Sequence, residues 1–549
     1  MIPVFLLAAS LGLVHALPQS THVQPQASTF AGATSTALFP PLGASVTATD
    51  TFFLDGSEVG FPGPTPTGDE SNAIATAPAI AKMDNMFPLV APTIKSGSSS
   101  SFNPLDHLGN LGPWQSVSSL GLPNSSPVIP SGCSLEQVHL LHRHGARYPT
   151  SGSAPSAFAA KVQSTATGKG FSASGALSFL NTWTYKLGAE ILTPFGRAQM
   201  FDLGMAFRVK YGELLDDMTD LPVFRTTSEA RMLDSALHFS AGFFGVQEYQ
   251  NDYHQLIMIE APGQNNTLAP FENCANANNA VANIGSTASN AWSEIYLAPT
   301  LKRLSPLLKG FNLTITDLVA MQQLCAYETV SLGFSAFCDV FNEDEWNGYE
   351  YAVDLSFWYG NGPGNPASSA QGIGYVQELV SRLTQTRITS FNSAVNSSIV
   401  TNPVQFPLNQ SIFVDASHDT VISTIIVAMN LTSFAANGPL PTTHIPKGQT
   451  YFVNQIAPFG TNLVGQVLSC PASSEPTHIR WILNDAVVPL TGIKGCKPNS
   501  DGLCDLKTFI AGMQQRIEEV DFTFDCFGNF TVPAPDNIVD GQFPKNLRK

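Results

Sequence analysis

Charge is scarce in this chain, and positive charge is scarcest. Lys and Arg number 26 against 42 Asp and Glu among 549 residues, a formal net charge of -16. A nucleic-acid groove or an anionic membrane surface needs basic surface, so neither is an expected partner. Any anion the chain binds must be met by a local cluster of positive charge. Long apolar runs are lacking too: the N-terminal stretch MIPVFLLAASLGLVHALPQ comes nearest, and a bilayer crossing needs about 18 or more apolar residues. No two cysteines are spaced as CxxC, which disfavours a zinc or redox centre. No carboxylate or Cys/His metal motif is present, so neither a metal nor a cofactor is expected.

The short N-terminal apolar run reads instead as a secretory signal over residues 1–16, with Val14-His15-Ala16 at the cut site. Two features fit an oxidising route: the cysteines number eight, and Asn-x-Ser/Thr sequons stand at Asn124, Asn265, Asn312, Asn396, Asn409, Asn430 and Asn529. Residues 17–101 are rich in Ser, Thr, Ala, Pro and Gly, as in GFPGPTPTGDESNAIATAPAIAK. Such a stretch buries too little apolar surface to offset its ordering entropy, and it reads as a flexible stalk or propeptide.

From residue 102 onward strand-like and helical patterns alternate, which predicts an α/β fold. QVHLLH is a short buried strand broken at Gly145, and SIFVDA (411–416) is a second. LTPFGRAQMFDLGMAFRVKYG reads as a helix with Thr193 as N-cap and Pro194 in its first turn. TDLVAMQQLC is another helix, and the stretch 156–345 reads as mostly helical. VISTIIVAMN is β-branched, but it follows a strand, and Ser417 or Asp419 is placed to cap a helix there.

The chemistry gathers where these two strands stop. VHLLHRHGARYPT puts His144 between Arg143 and Arg147, and SHDT puts His418 and Asp419 just past the other strand. In open α/β sheets that edge binds ligands, and helix N-termini there offer N–H groups to anions. Guanidinium forks match phosphoryl oxygens, and a neutral imidazole among them is a nucleophile able to form a phosphohistidine. An adjacent aspartic acid can then protonate the leaving oxygen. On a strand His142 and His144 share a face while His139 points away, so a three-histidine metal site is not expected.

These motifs resemble those of the histidine acid phosphatases, in particular their secreted fungal phytase-like branch. RHGARYPT is similar to the family's nucleophile motif and SHDT to its proton-donor motif. LGAEILTPFG, FRTTSEARML, CDVFNEDEW, YGNGPGNPASSAQGIGYVQELVSRL and IRWILNDAVVPL resemble further family segments, in the family's order. The resemblance covers residue 102 to the C-terminus. It implies an α/β sandwich of the phosphoglycerate-mutase-like kind, with core segments about 130–155 and 346–549 and a smaller, mostly helical domain inserted over 156–345. It also implies His144 as nucleophile, Asp419 as proton donor, and Arg143, Arg147, Arg225 and His418 as phosphate ligands, with Arg231 outside the site. The disulfides implied are Cys133–Cys470, Cys274–Cys526, Cys325–Cys338 and Cys496–Cys504.

The implied function is a secreted phosphatase acting at acid pH on small-molecule phosphate monoesters. One departure bears on substrate. Where phytate-preferring relatives carry lysines, this chain has Ser356 and Phe357, with only Lys161 near the nucleophile motif, so a strong preference for phytate is not expected. A phosphoglycerate-mutase-like transferase, a multiple inositol polyphosphate phosphatase and a non-catalytic secreted phosphate-ester-binding protein are the alternatives. Composition says nothing of oligomeric state.

Overall fold

The computed structural model describes residues 52–61, 63–65, 67 and 102–548, apart from 217, 248 and 535. The expected signal, 1–16, and most of the expected stalk lie outside the described residues.

Eight strands form the main sheet: β1 (Ser134–Arg143), β2 (Val223–Thr227), β3 (His254–Met258), β4 (Ile412–Ser417), β5 (Asn462–Ser469), β6 (Thr477–Leu483), β7 (Ala486–Val488) and β8 (Cys504–Asp505). Their order is β8-β6-β5-β1-β4-β2-β3, with β7 on β6. β1, β4, β2 and β3 run parallel, whereas β5 runs antiparallel beside β1 and β6 antiparallel beside β5. The parallel strands are apolar on both faces because helices cover both.

On one face Val138, Leu140, Phe224, Ile412 and Val414 pack against Phe207, Tyr211, Phe239 and Phe243. These aromatics come from α2 (Pro194–Tyr211) and α3 (Ala230–Phe244). Against the other face lie Tyr375 and Leu379 of α7 (Ser368–Thr384), Ile422 and Ile425 of α8 (Asp419–Ala428), and Phe509 and Met513 of α9 (Leu506–Glu519). A separate apolar cluster joins α1 (Ala154–Thr167), α5 (Ile315–Leu332) and the start of α6 (Glu343–Gly360) through Phe158, Leu318, Leu324 and Trp346, and α4 (Asn283–Tyr296) is tied to α6 where Trp292 Nε1 donates to the Gly348 carbonyl. The fold is thus a three-layer α/β unit with a smaller helical cluster beside it.

The caps explain several boundaries. Thr193 accepts from the Gly196 N–H at the start of α2, and Thr314 forms a capping box with Asp317 at α5. At α8 the N-cap is His418, not Ser417 or Asp419. Ser417 ends the strand, and its hydroxyl donates to the Leu268 carbonyl, 2.7 Å away.

Two expectations need correction. The stretch 156–345 is not a helical insertion throughout, because β2 and β3 lie within it and pair into the main sheet. VFRTT and HQLIM are five-residue strands, too short for periodicity to separate from helix. Nor does the whole of 17–101 stand apart as a stalk. Phe53 stacks on His254 at 4.5 Å, and Thr67 pairs with Ala189 in an antiparallel bridge.

Four disulfides tie the chain: Cys133–Cys470, Cys274–Cys526, Cys325–Cys338 and Cys496–Cys504. The first joins the residue before β1 to the one after β5, pinning the strand that leads into His144. Among the described residues no helix is long and apolar enough to cross a membrane.

Candidate active site

The site sits at the carboxyl ends of β1, β4 and β2. Arg143 is the last residue of β1, and the chain then leaves the sheet through Gly145, which a side chain could not replace: a Cβ there would lie 2.2 Å from the Gly196 carbonyl oxygen of α2. That close approach lets α2 brace the turn. The Ala146 N–H donates to Gln199 and its carbonyl accepts from the Thr193 N–H. The Gly145 N–H donates to Ser235 on α3 at 3.2 Å.

His144 is almost wholly buried. Its Nδ1 lies 2.8 Å from the Gly145 carbonyl oxygen, which can only accept, so Nδ1 carries the proton and Nε2 keeps its lone pair. Burial, then the positive charges of Arg143, Arg231 and Arg147, push this imidazole's pKa well below its ordinary value. Both effects favour the neutral ring. His418, from the end of β4, meets it edge-on with ring centroids 5.8 Å apart. His144 and His418 lie 274 positions apart in the chain, and parallel pairing of β1 with β4 brings them together.

Arg143 Nη1 donates to the carbonyls of Asn110 and Ala457, its Nη2 is in ion-pair contact with Asp419 at 2.8 Å, and its guanidinium stacks over Phe459. Arg147 donates one bond to the Tyr148 carbonyl, and its buried Nε has no acceptor. Asp419 opens α8. Its Oδ2 accepts from Asn110 Nδ2 at 2.8 Å and its Oδ1 from the Thr420 N–H. Burial raises its pKa, but Arg143, the Asn110 hydrogen bond and Arg147 outweigh that and hold it below the usual carboxylate range.

Arg225 is not in the site. Its guanidinium is spent on Asp415, through Nε at 2.6 Å and Nη2 at 3.0 Å, and on Glu378, through Nη1 at 2.8 Å. Arg382 binds the same Asp415. The reason is position along the strand: Arg225 lies inside β2 and faces α7, whereas ligand groups belong past the strand's end. Arg231, in the first turn of α3, occupies that place. It pairs with Glu190 at 2.9 Å and Glu229 at 2.5 Å, its buried Nε has no acceptor, and its charge acts on His144. The wholly buried five-residue strand gave no local signal that separates Arg231 from Arg225.

Sequence reasoning also missed Glu260, Glu229 and Asn110. His418 Nε2 lies 3.0 Å from Glu260 and 3.9 Å from Glu229. These three groups are the ones, among the described residues, with donor atoms close enough together to hold a metal ion. Arg231 already supplies positive charge to that acid pair. The carboxylate of Glu229 is pushed up by burial, against the pull of His418 and Arg231.

A profile of the histidine phosphatase superfamily (branch 2) matches residues 134–484. The chain belongs to this family. Phytase A of Aspergillus awamori is 33% identical over 412 residues, covering 71% of this chain and 84% of that protein. Phytase A of Emericella nidulans is 34% identical over 409 residues, with the same two coverages. The crystal structure of the phytase from D. castellii superposes with a TM-score of 0.64 at 26% identity, covering 81% of this chain and 93% of that one. The chain is a phosphoric monoester hydrolase of the histidine acid phosphatase kind, with that family's α/β fold. The described residues between 52 and 67, and Asn110, lie outside the matched span.

Proposed function

We propose that the protein is a secreted acid phosphatase working through a phosphohistidine on His144. One observation carries the reading: a buried, neutral imidazole presents an unprotonated Nε2 among Arg143, Arg147 and Arg231. The guanidinium groups hold the three phosphoryl oxygens and His418 adds a further donor. The Nε2–P bond forms as the ester P–O bond breaks, and Asp419 passes its proton to the departing oxygen. A water then attacks phosphorus, the N–P bond breaks, and Asp419 takes the water's proton. Rapid acid-free denaturation during turnover is expected to trap a phosphoenzyme that survives alkali and decays in acid. A trapped ester stable in acid would rule the histidine route out.

Asp419 must be protonated when the leaving group departs, yet Arg143 and Asn110 hold it ionised. Activity is therefore expected to fall as pH rises through its pKa, which places the optimum on the acid side. Asn110→Ala removes one group that stabilises the carboxylate, so the Asp419 pKa rises and the basic limb of the kcat profile moves to higher pH. A limb that stays in place, or moves to lower pH, would show that Asn110 does not act on Asp419.

Substrates are small phosphate monoesters, with phytate hydrolysed but not strongly preferred. Lys161 is committed to Asp317 at 2.5 Å and to the Asn312 carbonyl at 2.7 Å, while Phe357 is buried and Ser356 half-buried. The positions considered for extra phosphate contacts thus offer no free cation. The kcat/KM for phytate is expected to exceed that for an aryl phosphate by no more than about tenfold, the worth of one modest extra contact. A preference of several hundredfold would refute this.

Secretion rests on the signal-like residues 1–16, the disulfides and the sequons. Asn124, Asn312, Asn409 and Asn529 are exposed, and they are the sequons best placed to carry glycans. Asn430 is half-buried, with its amide on the Gly492 carbonyl.

A further inference from the structure

The described residues between 52 and 67 run from the start of β3, past α3 and Glu229, to Ala189. Phe53 stacks on His254 at the start of β3, and Gln405 holds the Phe52 carbonyl at 3.1 Å. Gly56 lies so close to Leu233 of α3 that a Cβ would meet it at 2.3 Å. The Phe61 carbonyl accepts from the Ser228 hydroxyl at 2.7 Å, and that same hydroxyl oxygen accepts from the Glu260 N–H. Gly63, at φ +85°, rests on Glu229: a side chain there would come within 2.6 Å of Glu229 Cγ. Thr67 then exchanges both backbone hydrogen bonds with Ala189.

That last contact matters because of what lies beyond it. Residues 189–193 pair on their other side with the nucleophile loop itself. Glu190 N–H donates to the Pro149 carbonyl, Tyr148 N–H to Ile191, and Thr193 N–H to Ala146. Thr67 thus adds an outer rung to a short ladder whose inner rung carries Arg147. The two acids that hold Arg231 are each backed by this segment, Glu229 by Gly63 and Glu190 through its neighbour Ala189.

We propose that residues 52–61, 63–65 and 67 form a strap that positions Arg231 and the nucleophile loop, and so sets how tightly the pocket grips a phosphoryl group. The strap touches no reacting atom. It acts by fixing Glu190 and Glu229, which aim the Arg231 guanidinium; a guanidinium free to swing loses part of its advantage as a preorganised donor. The proposal rests on the reading of Arg231 as a phosphate ligand.

Two substitutions in the full chain test it. Thr67→Pro removes the N–H that bonds Ala189, whereas Thr67→Ala keeps it. Gly63→Val drives a side chain into Glu229 at a backbone angle that disfavours it. With inorganic phosphate as probe, Thr67→Pro and Gly63→Val are each expected to raise the inhibition constant about three- to tenfold, the order of a lost hydrogen bond. The KM for an aryl phosphate should rise in parallel, with kcat changed less than about twofold and Thr67→Ala matching the wild type. Should one variant fail to fold, the other decides. Unchanged phosphate inhibition in a folded Thr67→Pro or Gly63→Val protein overturns the strap, as does an equal loss in Thr67→Ala. Arg231→Gln separates the two layers. If it too leaves phosphate inhibition unchanged, the Arg231 reading has failed; if it alone weakens inhibition, only the strap has.

Discussion

His144→Ala is expected to abolish hydrolysis of a generic phosphomonoester, with a loss on the order of 10⁴-fold or more in kcat, because the covalent step has no other nucleophile. The His144 ring packs beside Phe459 and donates to its neighbour's carbonyl, so its truncation leaves little unsatisfied. The folded protein should therefore be recovered, with an unfolding midpoint close to that of the wild type. Inorganic phosphate should still bind, since the guanidinium groups remain. Turnover within about tenfold of wild type would remove His144 from the mechanism and with it the phosphohistidine.

The second large effect distinguishes two arginines six positions apart. Arg231→Ala is expected to cost about 10²- to 10³-fold in kcat/KM, the usual consequence of removing one preorganised charge-stabilising donor; it also leaves the buried Glu190 and Glu229 short of a partner, so some stability goes with it. Arg225→Ala should cost stability while sparing kcat/KM in the folded protein. Its loss leaves Asp415 and Glu378 facing each other's region, buried and short of a partner, and breaking a buried ion pair in this way costs about 3–5 kcal/mol of folding stability. Arg382 still holds Asp415, which places the effect toward the lower end. Denaturant unfolding alongside kinetics reads both variants. If Arg225→Ala left stability intact but cut kcat/KM as Arg231→Ala does, the assignment of the two residues would be inverted.

Much of this site was legible before any fold was known. An imidazole between two guanidinium groups at the end of an apolar run is a local pattern, and Arg143, His144 and Arg147 are read from it directly. His418 and Asp419 needed a second strand of the same kind. Arg225 shows where such reading stops. Its strand is five residues long and wholly buried, so neither alternation nor helical period marks which residues lie inside and which lie past its end. The resemblance implies Arg225, with Arg231 outside the site; the structure instead commits Arg225 to Asp415 and Glu378, and it is Arg231 whose charge acts on His144. Glu190, Glu229, Glu260 and Asn110 carried no signal at all, since single acids and amides in loops are common and their meaning here comes only from what faces them.

Composition, spacing and local pattern thus determined the chemistry available to this protein: a scarce positive charge concentrated about one histidine, an α/β alternation, and eight cysteines suited to an oxidising route. Tertiary structure decided which charges meet. Parallel pairing of β1 with β4 and of β4 with β2 carries residues some hundreds of positions apart to one edge of the sheet, and it turns Arg225 inward while leaving Arg231 at the pocket. Such pairings arise from the packing of whole elements against one another, and nothing within a short window of chain encodes them.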